Sequence, residues 1–427
     1  MSKVVTLAII GAGSRGSIYA QYALENPDKA KVVAVAEPRK TYRDNLAKIH
    51  NLQDEMVFES WQDVAVQDKI ADAVIISTQD HMHVEPAVAF ADLKYHILLE
   101  KPMAPTEEGC RTIVKATLDN EIQLSVCHVL RYTRYTQKLK ELLNSGIIGD
   151  VISMQHLEPV AYWHQAHSFV RGNWRNQDQS TFMLLAKACH DLDWISYIMD
   201  TKCNYVSSFG HLSHFKKQYQ PIGASSRCLD CTFKNTCAYS AKKIYLDSFD
   251  ANCTLPSGVH KGFLEVITPN PTRESLEKAL LEGDYGRCVY DCDNDVVDNQ
   301  VVNMDFEGGK TVSFTMTAFT DYAERKTRIF GTKGMLEGDT SSIKAYEFLT
   351  DKTTSYDIEA SDPDSAMTLH GGGDYEIMRS FIDAIRNDDE NEIVSGANAS
   401  LESHLMVFAA ESARLNKEVV KIDLMLK

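Results

Sequence analysis

Short apolar runs alternate with amphipathic stretches up to about residue 125. The runs at 4–10, 31–36, 56–58, 73–76, 96–99 and 123–127 have the length of strands, and between them 17–25, 41–49, 84–93 and 106–119 carry apolar residues at helical spacing. This alternation predicts βαβ units, and six such strands predict one doubly wound parallel sheet. Beyond about residue 150 the rhythm changes to longer strands joined by hairpins, with 297–306 and 311–319 flanking Gly308-Gly309 and 326–331 and 335–338 flanking Lys333-Gly334. A largely antiparallel sheet is expected there. Two late stretches, 374–386 and 400–416, return to helical spacing, and 419–424 reads as a closing strand. The region from about 214 to 296 is rich in Cys, Pro, Asn and Asp and follows neither period, so it is expected to be a large insertion held by something other than a core. The fold class is therefore α/β, a Rossmann doubly wound parallel sheet over residues 1–128, followed over 129–427 by an α+β domain with a large, mostly antiparallel open sheet.

Composition narrows the partners. A chain of 427 residues exceeds one core of usual size, in line with two domains. Its net charge of −16 argues against nucleic acid or an anionic membrane surface, both of which reward a clustered positive field, and leaves small molecules. Residues 1–10 run straight into a glycine loop and read as a strand, not a secretory signal, and no stretch approaches the ~20 apolar residues of a membrane span. A cytoplasmic protein is expected, in which ten cysteines are thiols or metal ligands before they are disulfides.

Gly11-x-Gly13-Ser14-Arg15-Gly16 lies between an apolar strand and an amphipathic helix, the context in which this pattern binds a dinucleotide. Gly11 permits the tight turn, Gly13 lets the backbone approach the pyrophosphate, Gly16 lets helix and strand pack, and the helix start offers free N–H donors. Glu37 follows the second strand at the spacing of the acidic residue that binds the ribose hydroxyls, which favours NAD over NADP; Arg39 beside it pulls the other way. Thr78, Gln79, His81 and His83 sit in a polar loop at the same sheet edge, and Glu100-Lys101-Pro102 directly follows the fifth strand, which places Lys101 to face a nicotinamide. Separately, Cys228-x-x-Cys231 with Cys237 gathers three thiols in a loop of little apolar content. A structural zinc would order it, with Cys288 as fourth ligand, or Cys253 or Cys292.

With these residues in hand, the chain resembles the glucose-fructose oxidoreductase, inositol dehydrogenase and MocA-type (Gfo/Idh/MocA) family over nearly its whole length. The resemblance rests on Gly11 to Gly16, Ser77 to His83, Glu100-Lys101-Pro102, Ser145-Gly146-x-x-Gly149, His190-Asp191-Leu192-Asp193 and Gly331-Thr332-Lys333-Gly334, in that order and spacing. It implies hydride transfer between a nicotinamide cofactor and a hydroxyl-bearing carbon of a sugar or cyclitol, with Lys101 polarising or deprotonating the hydroxyl and His190 beside it as acid/base or orienting partner. It further implies a homodimer or homotetramer. One departure stands out: dehydrogenases of this family carry an aspartate four positions before that histidine, and here position 186 is alanine, followed by Lys187. The segments around His190 and 156–164 look like a subgroup near NAD-dependent glycosidases, which oxidise C3 transiently and then eliminate; a non-catalytic sugar sensor is a further alternative. The substrate pocket is expected from the second domain. Tyr162, Trp163 and Trp174 offer planar apolar faces, Glu158, His164, His167, Arg171 and Arg175 offer polar groups, and His128 and Arg131 approach from the end of the first domain.

Overall fold

Val5–Ile10 (β1) is buried along almost its whole length, as a strand covered by helices on both faces must be. The computed structural model describes residues 3–254, 259–359, 365, 367 and 369–423. β1 lies in a six-stranded parallel sheet with β2 (Ala30–Ala36), β3 (Val57–Phe58), β4 (Ala73–Ile76), β5 (His96–Leu99) and β6 (Leu124–Val126), in the order β3-β2-β1-β4-β5-β6. The crossovers are α1 (Ser14–Glu25), α2 (Lys40–Ile49), α3 (Trp61–Ala65), α4 (Val84–Asp92) and α5 (Glu107–Asp119). All six predicted strands are present. The extra helix α3 starts at Ser60, whose hydroxyl accepts from Asp63 N–H while the Asp63 carboxylate accepts from Ser60 N–H. Strand order reverses direction between β1 and β4, which opens a crevice at the strands' carboxyl ends.

The second sheet has nine strands: β7 (Val151–Pro159), β8 (Cys203–His211), β9 (Asn299–Phe306), β10 (Lys310–Thr317), β11 (Lys326–Gly331), β12 (Gly334–Gly338), β13 (Ser342–Glu347), β14 (Lys352–Asp357) and β15 (Val419–Lys421). Their order is β14-β13-β12-β11-β7-β10-β9-β8-β15, antiparallel except where β10 runs beside β7. Both predicted hairpins form; residue 424 of the predicted closing strand lies outside the described residues. Val206, Val302, Met304 and Phe314 point inward, where the helix Ala397–Asn416 packs on β8, while Tyr205, Phe209 and Val301 stand exposed on the outer face.

Two features depart from the expected organisation. The region 214–296 is not without a core: Phe215, Tyr245, Leu264, Leu276 and Leu280 are buried together in a small cluster of their own, built around the helices Lys261–Ile267 and Arg273–Glu282. The late helix Gly373–Asn387 returns to the first sheet, where Ile377, Phe381 and Ile385 share a core with Leu7, Ile9 and Tyr19. Among the described residues no helix is long and apolar enough to cross a membrane.

Candidate active site

The glycine loop leaves one side open. An added Cβ at Gly11 would lie 2.8 Å from the Ser77 carbonyl oxygen and one at Gly16 1.9 Å from the Gly11 oxygen, whereas one at Gly13 would meet only an Arg39 Nη2 at 3.3 Å. The first and third glycines are thus required by the protein's own packing, and the second faces outward. Gly13 gives α1 no side-chain cap and Ser14 is exposed, so first-turn N–H groups stay available to a diphosphate. Glu37, at the end of β2, accepts from Ala12 N–H at 3.0 Å and from the Arg39 guanidinium at 2.7 and 2.9 Å. Burial opposes its charge, yet the Arg39 bonds and Ala12 N–H hold its carboxyl below the ordinary value. Arg39 lies over the Tyr42 ring at 4.1 Å. These residues fit a dinucleotide.

At the end of β5, Glu100 N–H donates to the Ile76 oxygen at 2.8 Å, which fixes where Lys101 starts. Lys101 Nζ donates to the Ala186 carbonyl at 2.8 Å, reaching the end of the short helix Met183–Ala186 just ahead of the helix Cys189–Met199 that carries His190. The carboxylate of Glu100 is turned inward: its Oε1 accepts from Arg15 Nε and Tyr19 OH, both at 2.7 Å, and its Oε2 from Lys101 N–H at 2.8 Å. Burial would raise this carboxyl, and Arg15 and Lys101 more than offset that. His190 Nδ1 is buried with no hydrogen-bond partner among the described residues. Burial, with Lys101, Arg325 and His370 nearby, pushes its basicity well below the usual imidazole range, so the ring is neutral near pH 7.

Behind His190 runs a buried ion network. Lys187 Nζ lies 2.9 Å from Glu158 Oε1, Arg325 Nη2 3.0 Å from Glu158 Oε2, and Arg325 Nε and Nη2 bind both oxygens of Asp191. His156 completes it, with Nε2 at 3.1 Å from Asp191 and Nδ1 at 2.7 Å from Thr327 Oγ1. Burial works against the Asp191 charge, and Arg325 and His156 overcome it, holding the carboxyl well below its usual range. Tyr162, Trp163 and His164 follow Ala161, whose φ of +67° is unusual for a residue with a side chain; the Ala161 and Tyr162 N–H groups donate to Thr320. His164 packs among the rings of Trp163, Phe169 and Phe263, and burial and then Lys187 push it well below the usual imidazole range.

Other expected contacts are used internally. His83 spans Pro102 and Thr78 carbonyl oxygens at 2.9 and 3.3 Å and is fully buried, so it staples the 77–83 loop, while Gln79 and His81 remain exposed on it. Arg15 binds Glu100, Tyr19 and Asp374, which turns it away from a phosphate. Arg131 makes a two-pronged pair with Asp193, both bonds 2.7 Å, and His128 Nε2 lies buried 3.6 Å from the same carboxylate. His167 stacks on Tyr285 and meets Phe263 edge-on, Trp174 packs near Phe169, and Arg175 is paired with Asp293.

The thiol cluster does not form the expected zinc centre. Cys228, Cys231, Cys237 and Cys288 do line one cavity of about 30 Å³, but among the described residues no three His, Cys, Asp or Glu side chains stand so as to hold a metal ion. The buried Arg171 guanidinium lines the same cavity, donating to the Tyr239 oxygen at 2.7 Å and reaching Cys228 Sγ at 3.4 Å, which puts a cation beside that thiol.

Sequence reasoning missed Arg325, Asp191, His370 and Asp374 as site residues. His370 precedes Gly371-Gly372-Gly373, and a glycine triplet between a histidine and a helix start was the available signal. Arg325, at the mouth of β11, had none beyond its place at a strand end.

Two profiles of one family match the chain, an oxidoreductase family's NAD-binding Rossmann fold over residues 5–128 and that family's C-terminal alpha/beta domain over residues 140–422. The 2,7-anhydro-N-acetylneuraminate hydratase of Escherichia coli is 24% identical over 212 residues, 49% of this chain and 54% of that protein. The myo-inositol 2-dehydrogenase of Thermotoga maritima is 25% identical over 207 residues, 48% of this chain and 58% of its own. The matched stretch thus spans just over half the length of each. A solved levoglucosan dehydrogenase in complex with NADH superposes with a TM-score of 0.70 at 16% identity, covering 99% of this chain and 100% of that one, which establishes the shared fold.

Proposed function

Because the chain belongs to the Gfo/Idh/MocA family of oxidoreductases, we propose that it is an NAD-dependent enzyme moving a hydride between the nicotinamide and a hydroxyl-bearing carbon of a sugar, cyclitol or glycoside. The observation that carries this reading is the hydrogen bond from Lys101 to the Ala186 carbonyl, just ahead of the helix that carries His190, at the carboxyl end of a parallel sheet. When bound, the nicotinamide supplies the hydride acceptor. Gly13 and the start of α1 hold its diphosphate, and Glu37 takes the adenosine ribose, where a carboxylate repels a 2′-phosphate. Lys101 Nζ polarises the reacting hydroxyl, and His190, buried with its Nδ1 free of hydrogen bonds among the described residues, is its orienting partner. Lys187 and Glu158, at 2.9 Å from each other, offer a donor and an acceptor to further hydroxyls.

Fluorescence titration and turnover with NAD on myo-inositol, D-glucose and levoglucosan test this. NADH is expected to bind at least about tenfold more tightly than NADPH, and one polyol class to yield NADH. Failure of the protein to bind either cofactor would sink the reading.

One observation favours a second reading. Position 186 presents only a backbone carbonyl, taken by Lys101, so His190 lacks the carboxylate that orients it in a simple dehydrogenation. Together with the hydratase relative, this supports transient oxidation followed by elimination or water addition, with the hydride returned. That chemistry releases product from a glycoside or anhydro sugar while NADH stays level.

A further inference from the structure

Ahead of the helix Gly373–Asn387 the chain turns through three successive left-handed residues, His370, Gly371 and Gly372, with φ of 52°, 60° and 82°. Glycine accepts this freely; for a histidine it costs roughly 1–2 kcal/mol, and such a residue persists only where its surroundings over-determine it. They do so here. An added Cβ at Gly373 would lie 2.4 Å from the Val129 oxygen, and Tyr375 packs on Tyr22 at 5.2 Å with its hydroxyl donating to Asn26.

The turn brings the His370 ring to 6.3 Å from the ring of His190. His370 Nδ1 lies 3.0 Å from Asp374 Oδ2, and the other Asp374 oxygen accepts from Arg15. Arg15 in turn binds Glu100, whose second oxygen takes Lys101 N–H. Asp374 is fully buried; burial opposes its charge, and Arg15 and His370 hold its carboxyl down at about 2. A histidine with an ionised carboxylate behind it therefore stands opposite one that has none, and is tied by hydrogen bonds to the corner that carries Lys101.

We propose that His370 is a second catalytic imidazole at the reacting hydroxyl, Asp374 fixing the proton on Nδ1 so that Nε2 is the acceptor. This rests on the reading of function above. The O–H bond breaks as the proton passes to His370 Nε2, the oxygen's electron pair forms the carbonyl π bond, and the C–H pair leaves as hydride to the nicotinamide. Asp374 stays ionised, and the imidazolium returns its proton to solvent, since the His370 side chain is 40% exposed. The carboxylate absent at position 186 is supplied from another part of the chain, to another histidine.

Two measurements test it. In ¹⁵N NMR of the wild-type protein without cofactor at pH 8, His370 is expected as the Nδ1–H tautomer; the Nε2–H tautomer overturns the proposal. In turnover with NAD and the polyol of the three that reacts best, His370→Asn keeps a donor toward Asp374, tolerates the left-handed φ, and loses only Nε2. It is expected to lower kcat about 100-fold with NADH affinity and melting temperature unchanged, and His370→Gly is expected to recover with added imidazole. Full activity of His370→Asn, or a parallel loss of NADH binding and stability, overturns the role of His370 while leaving the oxidoreductase reading intact. If the wild type turns over none of the polyols, the functional reading falls and this inference with it.

Discussion

Replacing Lys101 by alanine is expected to lower turnover about a thousandfold and to change NADH affinity by less than about twofold. Among the described residues the ammonium makes one hydrogen bond, at 2.8 Å to the Ala186 carbonyl, and that bond crosses between the domains. A hydroxyl bound beside it is polarised in the ground state and stabilised as it becomes an alkoxide, so the loss falls on the transition state and appears in kcat. Among the described residues no hydrogen bond joins this ammonium to the glycine loop or Glu37, which is why cofactor binding is expected to survive. Lys101→Arg is expected to restore little, because a planar fork cannot place a compact charge at the same point. A combined loss of NADH affinity and thermal stability in Lys101→Ala would instead make the lysine a domain tie.

Replacing Arg325 by methionine is expected to destabilise the protein by about 3–5 kcal/mol, read from the midpoint of urea unfolding at pH 7. Its guanidinium serves two carboxylates that are almost wholly out of water, Asp191 at 0% and Glu158 at 1% side-chain exposure. Glu158 keeps Lys187, but Asp191 is left with His156 alone. The pH dependence changes sign with the substitution. In the wild type the folded-state carboxyl of Asp191 is depressed, so its contribution is present above the unfolded value of about 4 and is lost as pH falls through the folded one. Without Arg325, burial dominates and raises the folded value, so protonation relieves the defect and the stability gap between variant and wild type narrows from pH 7 to pH 5. A gap under about 1 kcal/mol at pH 7, or one that widens toward pH 5, would mean that the network is solvated and adaptable.

The first domain was legible because its signals are local. Gly11, Gly13, Gly16 and Glu37 belong to one strand–turn–helix–strand unit, and Lys101 follows a strand whose apolar run announces itself. The second domain was less so. β7, β8, β13 and β14 mix polar and apolar residues on half-exposed faces, and β14 is a polar edge strand whose pattern is hard to separate from a loop. His167 and Arg171 were expected in the substrate pocket because they add polar groups to a run that also offers planar apolar faces. The wide helical turn Gln165–Arg171 instead carries them into the small core built by 215–290, a partner no local pattern announces. Arg325 reaches Asp191 across 134 residues and Arg15 reaches Asp374 across 359, so the ion network and the His370 dyad exist only once the chain has folded. The cysteines were grouped correctly by spacing, but spacing does not reveal an arginine lining the same cavity.

The central claim is that a hydride leaves a hydroxyl-bearing carbon and stays on the nicotinamide. Incubating the protein and NAD with carbon-deuterated myo-inositol, glucose and levoglucosan, then analysing the nicotinamide by mass spectrometry, tests it most directly. The account predicts one deuterium on the cofactor with at least one of these compounds, and none with Lys101→Ala. Binding of NAD and polyol with no deuterium reaching the nicotinamide from any of them would contradict it.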